Sequence, residues 1–335
     1  MKYKVLEVLM SNIGEYISGE ALSEKLGVSR TMVWKHINDL KREGYVLNSS
    51  SKKGYMLMSI PDAINKCEIM HGLESGLFGK SVYCFEEIDS TNNFAKKIAY
   101  EGCDDGTVVV ADRQLSGRGR LGRAWDSPSG KGIFMSLIMH PKIPPEDMQL
   151  VTLGASVAVV NAIKEVTGIS AGIKWPNDVV IDGRKVCGIL TEMASEQDRI
   201  SFLVVGIGIN VNHEDGDFHD ELKDKAISLR QHALKNNILN ESKLRRSGII
   251  KSVLKNMESV YEHLNAGNKS IIIDEWRNLS VTLGKDIRVD IKGTLYEGTA
   301  RDITNDGRLI VDCRDNVTRK LLSGEISVRG MLGYV

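Results

Sequence analysis

The sequence predicts a multidomain α+β protein of three units. Residues 1 to 60 carry capped helical stripes and then a polar, Gly-containing hairpin pattern, whereas residues 80 to about 270 mix apolar strand-like runs with helical periodicity. After Asn278 short alternating runs recur between turn signals, the pattern of a small barrel. At 335 residues and 42% hydrophobic content the chain holds more than one core, and the boundaries fall at 1–62, 63–278 and 279–335.

In the first unit Leu6, Leu9, Met10 and Ile13 recur at helical spacing. Ser18 is an N-cap for a helix carrying Ala21, Leu22 and Leu26, which Gly27 ends. Ser29 caps the next helix, in which Val33, Ile37 and Leu40 form the inner stripe while Arg30, Thr31, Trp34, Lys35 and Asn38 face outward. That is helix, tight turn, helix. The segment YVLNSSSKKGYML suits a two-stranded wing whose tip carries Lys52 and Lys53. Residues 1–60 hold nine Lys and Arg against six acids, a net +3 that leaves −3 on the rest of a neutral chain. Overall neutrality excludes a polyelectrolyte embrace of nucleic acid, so any duplex contact is local, with Ser29, Arg30, Thr31, Trp34, Lys35, Lys52 and Lys53 as its candidates. The bland reading is a plain helical hairpin with solvated lysines. Cap, stripe, turn and wing agree in favouring DNA.

Pro61 and a short helical stretch to about Gly79 lead onward. Val82–Phe85, Thr107–Ala111, Ile133–Met139 and Phe202–Val205 read as strands, and Asn92–Tyr100, Gln149–Val166 and Leu244–Leu264 as helices, enough for a catalytic α/β or α+β domain. The last unit offers Asp286–Ile291, Leu295–Asp302, Arg308–Asp312, Val317–Leu321 and Ile326–Arg329, separated by Lys-Gly, Asn-Asp-Gly, Asp-Asn and Ser-Gly turns. The apolar stretches 151–163 and 202–211 are too short or too broken to span a bilayer, and no secretory signal is legible at the start, so a cytoplasmic protein is expected. The five scattered cysteines lack metal or disulfide spacing, and the seven histidines form no metal pattern.

Four stretches carry chemistry. In DRQLSGRGRLGRAW, residues 112–125, Gly117, Gly119 and Gly122 alternate with Arg118, Arg120 and Arg123, so backbone can approach a ligand while guanidiniums grip phosphate or carboxylate oxygens. It is neither a Walker A loop nor a dinucleotide fingerprint. In GIKWPNDVVIDGRKVCGIL, residues 172–190, Lys174, Asn177 and Asp178 flank a rigid Trp-Pro corner and Asp182-Gly183 turns the chain. Lys185 then either projects into a pocket opened by Gly188 or decorates a hairpin. VVGIGINVN, residues 204–212, is an apolar strand over which a flat ligand can lie at Gly206 and Gly208. In IDSTNNFAKK, Ser90 caps a helix while Thr91 and Asn92 offer polar groups to a ligand head.

These motifs, in this order along the whole chain, resemble the biotin-protein ligase family, and the N-terminal unit resembles that of its bifunctional, BirA-type members that also repress transcription. Lipoate-protein ligases lack the GRGR and KWPND combination. The resemblance implies a winged helix-turn-helix, a class II synthetase-like mixed α/β catalytic domain and a C-terminal SH3-like β-barrel. It also implies a two-step reaction in which biotin's carboxylate attacks the α-phosphate of ATP, giving biotinyl-5′-AMP and pyrophosphate, and a carrier-protein lysine then takes the biotinyl group. Such chemistry asks for positioning and charge rather than a protein nucleophile.

By that resemblance Ser90, Thr91, Asn92, Gln114, Arg118, Gly119, Arg120, Lys185 and Gly188 line the biotin site, with Lys185, Arg118 and Arg120 as the catalytic set. Arg118, Arg120, Arg123, Lys174, Asn177 and Asn210 hold the nucleotide, and Asp178 is a ligand for Mg²⁺ or the cap of a turn. The arginine loop and residues 212–223 are expected to be mobile until ligand binds, with Phe218 a lid over adenine or an ordinary anchor. Expected partners are a biotin carboxyl carrier protein, operator DNA and a second copy of the chain when biotinyl-5′-AMP is bound, with no membrane. The rival class is a ligand-sensing DNA-binding regulator without ligase activity. A ligase for lipoate is a further alternative.

Overall fold

The computed structural model describes residues 1–196, 199–238, 243–291, 293–323 and 326–330. Contacts divide the chain into two compact units, residues 1–73 and the remainder from Glu74.

In the first unit three helices, α1 (Lys2–Met10), α2 (Gly19–Leu26) and α3 (Arg30–Arg42), close on a core of Leu6, Leu9, Leu22, Val33, Ile37 and Leu40. The caps fall where the sequence puts them: Ser18 Oγ accepts from the Ala21 amide at 3.0 Å, Ser29 Oγ from the Met32 amide at 3.2 Å, and Gly27 ends α2 in the left-handed region. Ile13 departs from expectation, because α1 stops at Met10 and Ile13 is exposed in the turn beyond it. The Ser11 hydroxyl and Asn12 amide bond the carbonyls of Glu7 and Val8, satisfying the last turn before Ile13 can join it. Strands β1 (Val46–Ser50) and β2 (Gly54–Ser59) pair antiparallel, with Lys52 and Lys53 exposed at the turn. Next comes α4 (Lys66–Met70), whose Glu68 accepts a hydrogen bond from Tyr45 Oη at 3.1 Å while Asn65 donates to the same oxygen at 3.0 Å. This buried network lies within the first unit, which runs to Leu73.

The second unit is built on a mixed sheet. Its strands are β3 (Val82–Ile88), β4 (Val108–Gln114), β5 (Gly132–Met139), β6 (Gly172–Lys174), β7 (Asp178–Ile181), β8 (Arg184–Glu196) and β9 (Arg199–Asn210), ordered β3-β4-β5-β9-β8-β7-β6. Only the β3–β4 pair among these is parallel. Helix α5 (Thr91–Tyr100) follows β3, and its Ala95, Ile98 and Ala99 pack on Val109, Ile138 and Val204. Helix α6 (Met148–Thr167) follows β5 and is buried almost throughout. On β8, Thr191 meets Thr152 of α6 at 2.8 Å while Glu192 meets Asn92 of α5, also at 2.8 Å. Successive strand residues point to opposite faces, so α5 and α6 sandwich the sheet. With its leading turn, the helical stretch Pro145–Thr167 is long and apolar enough by length and composition to cross a membrane, but 72% of its most apolar window is buried here as core. Helices α7 (Leu229–Lys235), α8 (Arg246–Asn265) and α9 (Lys269–Leu279) complete the helical layers, α8 and α9 packing on α6.

A five-stranded antiparallel sheet ends the chain: β10 (Asp286–Ile291), β11 (Thr294–Ile303), β12 (Leu309–Cys313), β13 (Thr318–Leu321) and β14 (Ile326–Gly330), in the order β13-β12-β11-β10-β14. Lys292 and Gly324 of the expected turns, and residues 331–335, lie outside the described residues. This sheet belongs to the same compact unit as the mixed sheet. The backbone N–H of Trp175 donates to Thr282 Oγ1 at 2.9 Å, its indole N–H donates to the Gly307 carbonyl at 3.2 Å, and Arg277 grips Asp302.

Trp175 is 1% exposed, so replacing it with Phe leaves the Gly307 carbonyl buried without its donor and opens a small void. Trp175→Phe is expected to cost about 2 kcal/mol, read as a fall of about 4–8 °C in the thermal midpoint of the second unit with the circular dichroism of the native state unchanged.

Candidate active site

The sheet and its loops enclose a cavity of about 1020 Å³. Every sequence-predicted residue of the central domain lines it: Ser90, Thr91 and Asn92 from the start of α5; Gln114, Arg118, Gly119, Arg120 and Arg123 from β4 and the loop after it; Lys174, Asn177, Asp178, Lys185, Gly188 and Asn210 from β6 to β9. The seven DNA candidates lie in the first unit, exposed on α3, its cap and the β1–β2 turn, and Arg30 there pairs with Glu20 at 2.5 Å.

One end of the cavity is a neutral hydrogen-bonding pocket. Ser90 caps α5, its Oγ accepting from the Asn93 amide. The N–H and the hydroxyl of Thr91 both donate to Gln114 Oε1, at 2.9 and 3.1 Å, and Gln114 Nε2 donates to Ser127 Oγ at 3.0 Å. The amide of Gln114 is thereby fixed in orientation. Ser136, from the middle of β5, donates to Asn92 Oδ1 at 2.6 Å, its oxygen lying 2.8 Å from Thr91 Oγ1.

The other end is cationic. The arginine loop folds on itself: the Gly119 amide donates to the Arg123 carbonyl at 2.7 Å, the Trp125 amide donates to the Gly117 carbonyl at 2.9 Å, and Leu121 adopts a positive φ of 55°. Arg118 and Arg123 are exposed on its rim. Arg120 turns inward, donating to Asn177 Oδ1 at 2.8 Å and to the carbonyl of Ser323, just after β13. Lys185 stands where the Asp182-Gly183 turn delivers it, both turn residues having positive φ. Its ammonium lies 2.5 Å from Asp178 Oδ1 and 5.2 Å from the Trp125 ring centre. Of the two sequence readings for Lys185, the structure takes the pocket.

Asp178, expected as a Mg²⁺ ligand or the cap of a turn, opens β7. Its carboxylate is engaged by the Lys185 ammonium, and among the described residues no three His, Cys, Asp or Glu converge on a cation site. Asn210, expected on the nucleotide, spends its amide N–H groups on the carbonyls of Lys185 and Ile227 and so ties β8 to the segment after the 213–225 loop. That loop closes one wall, with Phe218 stacked on His213 at 5.1 Å between ring centres. His213 is 2% exposed, and burial holds its imidazole well below the ordinary 6.5, at about 4, so it is neutral at pH 7. Burial pushes the Cys67 thiol up to about 12 and that of Cys187 further up, which removes both as nucleophiles.

Sequence reasoning left out Trp125, Ser127, Ser136 and Glu192. Ser136 was legible in principle as the lone polar side chain in an otherwise apolar strand. Trp125 packs over the bare backbone of Gly188 and Gly208, where an added Cβ would lie 2.9 and 2.6 Å from its ring.

Comparison with known proteins places the chain in a family. Residues 84–210 match the biotin/lipoate A/B protein ligase family, residues 2–56 an HTH domain and residues 282–329 the biotin protein ligase C-terminal domain. The chain is 39% identical over 329 residues to the bifunctional ligase/repressor BirA of Bacillus subtilis, covering 98% of each protein. It is 26% identical to the Escherichia coli protein of the same name over 97% of this chain and 96% of that one. Among solved structures, the biotin protein ligase of Aquifex aeolicus in complex with biotin and ATP superposes with a TM-score of 0.64 at 28% identity, spanning 75% of this chain and 99% of that one. The chain therefore belongs to the bifunctional, BirA-type family of biotin-protein ligases.

Proposed function

We infer that this protein is an ATP-dependent biotin-protein ligase that makes biotinyl-5′-AMP, transfers biotin to a lysine of a carboxylase carrier protein, and represses transcription through its helix-turn-helix unit. The observation that carries the ligase is a single cavity with a neutral hydrogen-bonding end and a cationic end, bridged by Lys185. A urea-like ring needs the first, and a carboxylate meeting a phosphate needs the second.

In the first step a biotin carboxylate oxygen bonds to the α-phosphorus of ATP while the bond to the β-phosphate oxygen breaks and pyrophosphate leaves. In the second, the carrier lysine's amine attacks the acyl carbon, the acyl–phosphate bond breaks, and AMP departs. Both nucleophiles belong to substrates, so the protein positions them and offsets charge. Thr91, Asn92 and Gln114 orient the biotin head, with Ser90 and Gly119 beside them and Gly188 leaving room. Asp178 holds the Lys185 ammonium at the junction of acid and phosphate. Arg120, steadied by Asn177 and the Ser323 carbonyl, takes phosphate oxygens, and Arg118 and Arg123 close from the rim with Lys174 behind. Mg²⁺ is assigned to the substrate, entering as MgATP, with no protein ligand. The 213–225 loop, with Phe218 on His213, is the lid over the nucleotide.

For the repressor, α2 and α3 are the helix-turn-helix and β1–β2 is its wing, making the unit a winged one. The C-terminal sheet is the family's SH3-like barrel, attached to a class II synthetase-like core. The first unit's net charge of +3 supplies only a weak phosphate grip, so operator binding calls for two heads, brought together by homodimerisation on biotinyl-5′-AMP.

Three outcomes test this reading. Wild type releases pyrophosphate from ATP on adding biotin, and both this and transfer of labelled biotin to a carrier domain fall by about 100-fold or more in Lys185→Ala and Arg120→Ala. Biotin binding without pyrophosphate release would instead leave a ligand-sensing regulator. In gel-shift titrations, operator affinity rises with biotin and ATP together, and Lys52→Ala with Lys53→Ala lowers both affinity and the salt-dependence slope, the latter by about 2. Binding indifferent to biotin and ATP would sink the coupled repressor.

The third concerns pH. Because His213 has a lower proton affinity folded than unfolded, its contribution to stability is complete above about pH 6.5 and is lost as pH falls towards 4. Urea unfolding of the ligand-free protein should show about 2 kcal/mol less stability from this group at pH 5 than at pH 7, a dependence that His213→Gln removes.

A further inference from the structure

The strand that presents Lys185 and Gly188 to the cavity also carries Glu192, seven residues on. Glu192 Oε2 accepts a hydrogen bond from Asn92 Nδ2 at 2.8 Å, and its other oxygen pairs with Lys96 Nζ at 2.7 Å. Asn92 and Lys96 are one turn apart on α5, so one carboxylate clamps the first turns of that helix to β8. The helix start is also where Ser90 and Thr91 face the cavity.

The clamp does more than hold the helix. A side-chain amide can lie either way round, and here its two ends meet groups of opposite demand. Glu192, acceptor only, takes the N–H₂ end, leaving Asn92 Oδ1 to accept from Ser136 Oγ at 2.6 Å. Ser136 Oγ also lies 2.8 Å from Thr91 Oγ1, and the hydroxyl and backbone N–H of Thr91 hold Gln114 Oε1, whose amide donates to Ser127. The carboxylate thus sits at the end of a run of polar contacts that passes through Asn92, Ser136, Thr91 and Gln114. Asn92 has no slack to adjust: an added Cβ at Gly206 on β9 would lie 2.2 Å from its Oδ1.

Resting on the ligase reading above, we propose that Glu192 is a positioning residue for biotin recognition, acting through the amide orientation of Asn92 and backed by Lys96. It touches neither substrate. Its removal loosens the biotin head's partners while leaving the cationic end of the cavity in place.

The test is steady-state kinetics of biotinyl transfer, with wild-type turnover established first so that loss of the ligase reading shows there and takes this inference with it. Glu192→Gln keeps the shape but can turn an N–H₂ group toward Asn92, and it is expected to raise the KM for biotin about tenfold while the KM for ATP and kcat change by less than about twofold. Lys96→Met, which leaves the bond to Asn92, raises the biotin KM by less than about threefold. In an Asn92→Ala background Glu192→Gln adds nothing further, because the route to the pocket is already cut. An unchanged biotin KM in Glu192→Gln, an equal loss on ATP, or undiminished loss in the Asn92→Ala background would each overturn the proposal. A thermal midpoint shift with unchanged biotin KM would show a structural clamp only.

Discussion

The site depends on three positions where the chain has no Cβ. Gly188 on β8 and Gly206 and Gly208 on β9 form a strip of bare backbone between paired strands, and Trp125 and Asn92 come to rest against it. Gly188 pairs with Gly208, so the indole crosses two strands at one level. A Cβ at any of the three would overlap Trp125 or Asn92, so one or the other would have to shift. Glycine's loss of strand stability is offset by the ladders on either side, β8 and β9 being the longest paired strands of the sheet.

From that strip the charges divide. On one side the polar groups are neutral and arranged donor to acceptor. On the other, the ammonium of Lys185 and the guanidinium of Arg120 are held in advance by a carboxylate, an amide oxygen and a backbone carbonyl. Holding cations before the anion arrives restrains two long side chains whose ordering would otherwise oppose binding. Asp178 also lessens the repulsion a lone ammonium would exert on Arg120 and Lys174, which line the same cavity.

Local signals made much of this legible. The serine caps, Gly27 and the Val33, Ile37 and Leu40 stripe depend on neighbours within one turn, and they fall where periodicity puts them. The arginine loop and the Asp182-Gly183 turn were visible for the same reason, since glycine and its partners mark backbone shape wherever they occur. What escaped was long-range. Glu192 reaches Asn92 a hundred residues back, and Ser136 serves residues forty-five positions away, distances over which pattern carries no pairing information. The pairing of Asp178 with Lys185 was not legible either, because a carboxylate in a turn can cap it, hold a cation or meet a lysine, and the sequence does not choose among these. Other long-range contacts, the Tyr45–Glu68 bond and those of Trp175, are equally invisible to local pattern.

The bond between Arg120 and the Ser323 carbonyl joins residues 203 positions apart. The arginine loop leaves the ribosome long before its last support is made, by about 10–40 s at ordinary elongation rates. A nascent chain thus exposes a complete arginine loop whose inward member still lacks one of its holds, and a truncated product never acquires it. The hold on this inward guanidinium is in this way among the last contacts of the second unit to form, conferred by one carbonyl far downstream of the loop it steadies.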